Sequence, residues 1–381
     1  MAQNQAVKTV SAGNAQVVDV LVPGLPAADY LLVKTSAVAI NPTDWKHVEA
    51  ADHAGCVGSW VGCDYSGVVV EVGPGVTKGF KVGDRICGPV NGSNALREVD
   101  GSFARYIVVK SDLQILIPDN LSDEQAATLG IAITTVVRTA QECSSCKITP
   151  AEKSAPILIN GGSTAMGIFG IQYAKLSGFS VITTASPHNF NFVKSLGADI
   201  VFDYRIPTVS KDIREYTQNG LTLAWDCQST EESGILCAKA LSTKGGSIAN
   251  LLPISAGKGL QANPHVKIGT SLYYTVFGEP FGFFQTYEAN AQDLEFGKMF
   301  WELSRGLLAN GKVKPPPVIL NKGGSGLQGV LVGLQESKSG KAWILQVSRA
   351  NVIRSPLLTG ACISITGLVE DKLLVFRRPT R

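Results

Sequence analysis

The sequence predicts an α/β protein in which a β-barrel-like part and a doubly wound parallel sheet share one chain. Three observations support this prediction. The first part of the chain is rich in Gly, Pro and Val and carries short β-like runs without a long helical period. Residues 155–253 alternate short apolar strands with helical segments, which is typical of a parallel sheet covered by helices. At 381 residues the chain can form two separate cores.

The β-like part contains four runs bounded by turn residues, which together predict a compact barrel or a partly open sheet. These runs lie at 30–40, 66–73, 84–90 and 103–110. The pattern changes at Ser122, which is a suitable helix N-cap followed by acids and by apolar residues at helical spacing.

The alternating part predicts five parallel strands with four helices between them. The strands are expected at 155–160, 179–184, 198–204, 221–227 and 245–253. The helices are expected at 164–178, 189–197, 210–220 and 230–243. Two more helices, at 291–313 and 327–341, are predicted on either side of a run of prolines. The parallel sheet therefore lies inside the chain, flanked on both sides by the other part.

Composition and charge exclude several classes of protein. The net charge is only +3 and the 34 Lys and Arg residues are scattered, so no nucleic-acid partner is expected. The chain shows neither a secretory signal nor an apolar run near the roughly 18 residues of a membrane span, which predicts a soluble, cytoplasmic protein. The eight cysteines are irregularly spaced, and Cys143 and Cys146 are interpreted as reduced surface thiols.

Gly161, Gly162 and Gly167 lie where the first parallel strand passes into a helix. Glycines there let backbone N–H groups approach a pyrophosphate, and the helix N-terminus adds partial positive charge. Thr164 and Ala165 stand where the usual motif often has glycine. The strand–turn–helix context nevertheless predicts dinucleotide binding.

The second parallel strand lacks the acid that commonly holds the ribose 2′-hydroxyl of NAD, because residues 183–186 read Thr-Thr-Ala-Ser. A carboxylate would repel a ribose 2′-phosphate, whereas hydroxyl, imidazole and amide groups can bind one. The groups available at this edge are those of Ser186, His188, Asn189, Tyr204 and Arg205. The sequence therefore predicts NADPH, and the alternative is a solvated loop with loose cofactor preference.

The motifs resemble those of the medium-chain dehydrogenase/reductase superfamily. The resemblance rests on INPTDWK, GCDYSGVVVEVGPGV, VGDRICG, GGSTAMG and LGADIVFDY. The phrases NPTDWK, CDYSG, GGSTAMGIFGIQ and TTASPHNF are most similar to the trans-acting enoyl reductases of fungal polyketide pathways. The resemblance implies a GroES-like catalytic domain at 1–125, a Rossmann domain at 126–277 and a return to the catalytic domain at 278–348. Residues 349–381 match nothing in the family and are predicted to be a dispensable tail.

The resemblance also implies the reaction. NADPH would reduce the α,β-double bond of an acyl thioester carried by the acyl carrier protein of a polyketide synthase, sometimes fused to a nonribosomal peptide module, that lacks a working reductase domain. A monomer is favoured. The rival functions are a free-standing zinc-independent quinone or enone oxidoreductase and a non-catalytic NADPH-binding sensor.

Site residues follow by position from the same resemblance. The implied cofactor contacts are Pro42, Thr43, Asp44, Trp45, Ser163, Thr164, Ala165, Met166, Ser186, Pro187, His188, Asn189, Tyr204, Leu251, Leu252, Gly340 and Lys341. The implied substrate contacts are Gly130, Ile131, Ala132, Ile133, Thr134, Thr135, Val136, Val137, Ser271, Leu272, Tyr273, Tyr274 and Thr275.

No catalytic metal is predicted. Zinc-dependent members of the superfamily carry a Cys before TD and a His and a Glu in GHE, where this chain has Asn41-Pro42 and Gly62-Cys63-Asp64. One Cys and one Asp do not make a three-ligand zinc site. His47 and His53 lie nearby in sequence and are interpreted as exposed.

Lys46, at the end of NPTDWK, is the predicted catalytic residue, as a cationic group near the nicotinamide or the substrate enolate. A solvent-facing lysine is the competing interpretation. Tyr273 and Tyr274 are alternative proton donors, for which packing in the core is the competing interpretation.

Overall fold

Both parts predicted from the sequence are present in the computed structural model, which describes residues 3–136, 155–252, 257–270, 272–340 and 346–349. The predicted fold class, a barrel-like part plus a doubly wound parallel sheet, is confirmed. Cys143, Cys146 and the predicted tail beyond Arg349 lie outside the described residues.

The barrel part consists of a hairpin and a seven-stranded sheet. The hairpin strands are β1 Gln3–Ser11 and β2 Asn14–Leu21. The sheet strands are β3 Tyr30–Ile40, β4 Asp64–Val72, β5 Arg85–Pro89, β6 Tyr106–Lys110, β7 Ile115–Leu116, β16 Ile319–Leu320 and β17 Gln346–Arg349. The long strand β3 is central, because it pairs with β4, β6 and β17.

The second sheet has six parallel strands. They are β8 Pro156–Asn160, β9 Ser180–Ala185, β10 Ile200–Asp203, β11 Leu223–Asp226, β12 Gly246–Asn250 and β13 Val266–Thr270. Their order is β10-β9-β8-β11-β12-β13, which is the Rossmann order of two wound halves. The five predicted strands are confirmed, but β13 was not predicted. As an edge strand whose side chains are mostly solvent-accessible, it lacks the continuous apolar run of its buried neighbours.

Helices cover the parallel sheet and connect the two parts. They are α1 Pro42–Ala54, α2 Asp123–Ala126, α3 Ala165–Leu176, α4 Phe190–Ser195, α5 Val209–Tyr216, α6 Glu231–Ala240, α7 Gly257–Ala262, α8 Ala291–Ala309 and α9 Gly326–Lys338. Residues 130–136 are also helical. Among these described helices, none is both long and apolar enough to cross a membrane.

The chain leaves the barrel after β7 and returns to it after the parallel sheet. The return uses α9, which packs on α1, and β17, in which Gln346 pairs with Ile40 of β3. Arg349, the first residue of the predicted tail, still belongs to β17 and pairs with Ala37. A short 3-10 helix, Tyr273–Phe277, follows β13 and contacts α8. A hairpin of β14 Phe281–Phe283 and β15 Gln285–Tyr287 comes next.

Candidate active site

The start of α1 is joined to the barrel by buried carboxyl groups. The backbone N–H of Asn41 donates to Asp44 Oδ2 at 2.7 Å, and Asn41 Nδ2 donates to Asp64 Oδ2 at 2.9 Å. The N–H of Ile131 donates to Asp64 Oδ1 at 2.5 Å. Asp44, which the resemblance assigned to the cofactor, is therefore a fully buried helix cap, and Asp64 links α1 to the helical segment 130–136.

Burial raises the pKa of Asp64 to about 7 from 3.8, and it raises the pKa of Asp44 as well. The folded protein therefore holds a proton on Asp64 that the unfolded chain has already lost, between about pH 4 and pH 7. Stability should fall as the pH rises through this window, by on the order of 1.4 kcal/mol per pH unit.

Asp64→Asn is expected to remove the part of this slope that Asp64 contributes, because the amide does not titrate but can still accept from Ile131 N–H, whereas Asp44 keeps its own contribution. The measurement is the free energy of unfolding in urea at pH 5, 6, 7 and 8 for wild type and variant. Asp119→Asn, at an exposed position, is the control and should keep the wild-type slope. Parallel curves for wild type and Asp64→Asn would contradict the prediction.

The region that holds zinc in the metal-dependent relatives carries different chemistry here. Within the described residues, no group of three or more His, Cys, Asp or Glu side chains is arranged to hold a metal ion. Burial raises the pKa of the Cys63 thiol well above its ordinary value, which favours the protonated form over the thiolate that zinc requires.

The interpretation of His47 as exposed is wrong, although His53 is exposed as expected. His47 is only 3% exposed, because the buried face of α1 carries Asp44, His47, Ala51 and Ala54. Its Nε2 lies 2.7 Å from the hydroxyl oxygen of Tyr274. Burial lowers the pKa of His47 to about 4, so the ring is neutral at neutral pH.

Lys46 is half-buried rather than freely solvated. Its Nζ lies 5.6 Å from the centroid of the Trp45 ring, and burial lowers its pKa. Trp45 itself lines a small groove with Leu331 and Leu334 of α9, so its indole packs between helices. The predicted cationic residue is thus held against an aromatic side chain at the start of α1.

The glycine turn between β8 and α3 packs closely against β9. The N–H of Gly161 donates to Thr184 Oγ1 at 2.9 Å, and Thr164 caps α3 by accepting from Gly167 N–H at 3.0 Å. A Cβ on Gly162 would lie 2.1 Å from Thr183 Oγ1, and one on Gly167 would lie 2.2 Å from Gly161 O. The turn therefore requires glycine at both positions, and it leaves Ser163, Thr164 and Ala165 accessible beside a helix N-terminus.

The end of β9 brings together two of the predicted 2′-phosphate contacts. Ser186 Oγ lies 3.3 Å from the hydroxyl oxygen of Tyr204, which follows β10. His188 is exposed beside them. Arg205 is turned onto Asp203, with nitrogen–oxygen distances of 2.9 and 2.8 Å. The Asp203 carboxylate is therefore already paired with a cation.

A polar cluster that sequence reasoning missed lies at the carboxyl ends of β8, β11 and β12. Asn160 Nδ2 donates to Asp226 Oδ1 at 2.9 Å. Asn250, in register with Asp226, is 1% exposed, and within the described part of the chain neither its Oδ1 nor its Nδ2 has a hydrogen-bond partner. An unpaired buried amide at the edge of the sheet where dinucleotides bind fits the carboxamide of a nicotinamide ring. The only sequence signal was an Asn ending an apolar strand.

The remaining substrate and cofactor positions implied by the resemblance differ in their burial. The helical residues 130–136 are all buried, and Thr134 Oγ1 accepts from the indole N–H of Trp301 at 3.1 Å. Leu251 and Leu252 are half-buried after β12, and Gly340 is exposed after α9. Val137, Ser271 and Lys341 lie outside the described residues.

A barrel part joined to a Rossmann sheet, with a glycine-rich turn after the first strand of that sheet, is the architecture of an oxidoreductase of the medium-chain dehydrogenase/reductase superfamily. Two family descriptions match in agreement with this. Residues 27–119 match the alcohol dehydrogenase GroES-like domain, and residues 165–265 match the zinc-binding dehydrogenase family. Enzymes of this superfamily use a nicotinamide cofactor.

The chain belongs to the trans-enoyl reductases. It is 48% identical over 284 residues to trans-enoyl reductase TOXD of Cochliobolus carbonum, covering 74% of this chain and 93% of the relative. It is 43% identical over 326 residues to trans-enoyl reductase resD of Aspergillus sclerotiorum, covering 81% of this chain and 88% of the relative. The fold is similar to that of CurK enoyl reductase, with a TM-score of 0.71, 19% identity and coverage of 92% of this chain and 100% of that one.

Proposed function

We propose that this protein uses NADPH to reduce the α,β-double bond of a polyketide thioester delivered by the acyl carrier protein of a polyketide synthase or of a synthase fused to a nonribosomal peptide module. The synthase would lack a working reductase domain of its own. The observation that carries the proposal is membership of the trans-enoyl reductases over most of the chain. A cytoplasmic, monomeric enzyme with domain limits near residues 125, 277 and 348 belongs to the same proposal.

The residues of the chain supply the positioning and the electrostatics. When bound, NADPH supplies a hydride to the β-carbon of the substrate. The turn of Gly161 and Gly162 and the α3 N-terminus would hold its pyrophosphate, and Asn250 would orient the carboxamide. Negative charge would then develop on the thioester oxygen, and the Lys46 ammonium would stabilise it or deliver a proton to the α-carbon.

The experiment is NADPH oxidation with an enoyl-pantetheine thioester, beside a free quinone, a simple aldehyde and NADH. Rapid turnover of the thioester with NADPH supports the proposal. Turnover of the quinone in preference to the thioester would replace it with a free-standing enone reductase. Binding of NADPH without turnover of any acceptor would indicate a sensor.

Ser186→Asp is expected to lower kcat/KM for NADPH at least tenfold while leaving that for NADH unchanged or higher. The new carboxylate would lie at the end of β9, where Ser186 Oγ is now 3.3 Å from the Tyr204 hydroxyl oxygen. A negative charge at this position would repel a ribose 2′-phosphate. Steady-state kinetics with both cofactors measures this. Ser195→Asp, exposed at the end of α4, makes the same chemical change and should alter neither value.

Lys46→Ala is expected to lower turnover of the thioester about 100-fold with less than a threefold change in the Kd for NADPH. The Lys46 ammonium is a half-buried cation in the first turns of α1. Its removal leaves the glycine-rich turn between β8 and α3 unchanged. Kinetics and NADPH fluorescence measure the two effects separately. Lys34→Ala, an exposed lysine of β3, is the control. Unchanged turnover would remove Lys46 from the mechanism.

A further inference from the structure

Tyr274 and His47 meet where the two parts of the molecule join. His47 lies on α1 in the barrel part, and Tyr274 lies in the 3-10 helix that follows the carboxyl end of β13. The hydroxyl oxygen and Nε2 are 2.7 Å apart, although the residues are 227 positions apart in the chain. Ligands of doubly wound sheets bind outside the carboxyl ends of the strands, so this contact borders the expected site.

The protonation of His47 decides what the Tyr274 hydroxyl can do. The neutral imidazole carries one N–H and one acceptor nitrogen. Nδ1 is buried and has no partner among the residues that the structure describes, and an unpaired buried N–H is rarer than an unpaired acceptor. The proton therefore belongs on Nε2, which then donates to the Tyr274 oxygen. The phenolic O–H is left as a donor, and the Thr43 hydroxyl also lies within hydrogen-bond reach of it. The Thr43 hydroxyl, 3.3 Å from Nε2, is compatible with the same arrangement as a second acceptor.

We propose that Tyr274 is a catalytic hydrogen-bond donor to the thioester oxygen of the substrate, and that His47 is the positioning residue that aims it. The inference rests on the proposed function and deepens it. As the β-carbon receives hydride, the π electrons of the double bond move toward the thioester oxygen to give an enolate. Tyr274 stabilises that charge without losing its proton, and the α-carbon takes its proton from a different group.

The surroundings of Tyr274 suit donation rather than proton transfer. Its ring packs among Tyr273, Phe281 and Phe283, with centroid distances of 4.8, 5.3 and 6.4 Å. Burial in this aromatic cluster raises the pKa of Tyr274 well above 10, so the phenol stays protonated. A fixed dipole in an apolar setting is the kind of group that stabilises developing oxyanions.

Tyr273 provides a matched control in the adjacent position. Its hydroxyl donates to the backbone oxygen of Val90 at 2.9 Å, so it is committed to the fold. Tyr273→Phe and Tyr274→Phe both delete one buried hydroxyl and keep the ring. Only the second should affect the substrate oxyanion.

The test has two readouts, turnover of an enoyl-pantetheine thioester and the near-ultraviolet absorbance of the enolate of bound acetoacetyl-pantetheine. We expect Tyr274→Phe to lower turnover about 100-fold and to abolish enolate absorbance, with the Kd for NADPH unchanged. His47→Gln, which can still offer an N–H to Tyr274, should retain more of both than His47→Leu. Tyr273→Phe should leave the absorbance at the wild-type level.

Three outcomes overturn the inference. One is equal enolate absorbance in wild type and Tyr274→Phe. That result would show that Tyr274 only packs in the core and does not stabilise the enolate, even if turnover falls. Another is equal loss in Tyr273→Phe, and the third is no difference between the two His47 variants. Failure of wild type to reduce any enoyl thioester would instead defeat the proposed function, and the acetoacetyl absorbance would still report on Tyr274.

Discussion

Gly167→Ala is expected to weaken NADPH binding at least 100-fold, which corresponds to about 2.7 kcal/mol. The added Cβ would lie 2.2 Å from Gly161 O and 2.7 Å from Gly162 Cα. Both are backbone atoms of the phosphate turn, so they cannot give way as a flexible side chain would. Helix α3 must therefore move away from the turn, and its N–H groups leave the pyrophosphate position. Titration of NADPH fluorescence measures the effect.

Gly306→Ala is the matched control, because it makes the same substitution in a helix. Gly306 is exposed on α8, and a Cβ there meets no atom within 4 Å. We expect unchanged NADPH affinity and a gain in stability of about 0.5–1 kcal/mol, since alanine favours the helix. Wild-type affinity in Gly167→Ala would mean that this turn does not hold the cofactor.

Glu279→Ala is expected to lower the free energy of unfolding by about 3 kcal/mol at pH 7. Glu279 Oε1 accepts from Lys110 Nζ at 2.6 Å, and Oε2 accepts from the Tyr30 hydroxyl at 2.6 Å and from Arg97 at 2.9 Å. The Lys110 side chain is only 8% exposed and that of Glu279 is 21% exposed, so removal leaves each poorly solvated cation with one carboxylate instead of two, namely Asp29 for Lys110 and Asp100 for Arg97. Urea denaturation measures the loss.

The electrostatic origin of this loss can be tested by comparing wild type and Glu279→Ala at different pH values. The hydrogen bonds from Lys110 and Tyr30 and the charges of Arg97 and Lys110 hold the pKa of Glu279 below its ordinary 4.5. The stabilisation is therefore present at neutral pH and disappears as the pH falls below that value. The gap between wild type and Glu279→Ala should close in acid, and a gap independent of pH would contradict an electrostatic origin. Glu231→Ala removes an exposed pair with Lys258 and should cost much less stability than Glu279→Ala.

The contacts of Glu279 with Tyr30, Arg97 and Lys110 also affect the candidate active site, because Glu279 comes two residues after the 3-10 helix Tyr273–Phe277. Three contacts from β3, β6 and the loop of Arg97 fix the segment that carries Tyr274 onto the barrel. Loss of Glu279 should thus also loosen the Tyr274–His47 contact.

Local pattern was enough to predict the parallel sheet and the phosphate turn. Strands β8 to β12 are short apolar runs between helices, and each signal lies within about ten residues of chain. The requirement for glycine at 162 and 167 was also local, since the atoms that exclude a Cβ belong to the same strand–turn–helix unit or to the next strand. The resemblance of these motifs to enoyl reductases then gave the family, which the comparison with relatives confirms.

Tertiary structure alone decided how the chemistry is assembled across the two parts. His47 meets Tyr274 and Glu279 meets Lys110 over separations of 227 and 169 residues, and no periodicity reports such contacts. The sequence therefore led to an exposed His47, to Tyr274 as a substrate contact or alternative proton donor without its partner, and to no mention of Asn250. Burial, pairing and the resulting pKa values depend on which surfaces face each other after folding. By itself the sequence determined strands β8 to β12, the helices between them and the glycine-rich turn, whereas packing decided which polar groups are buried, paired or left without a partner in the described part of the chain.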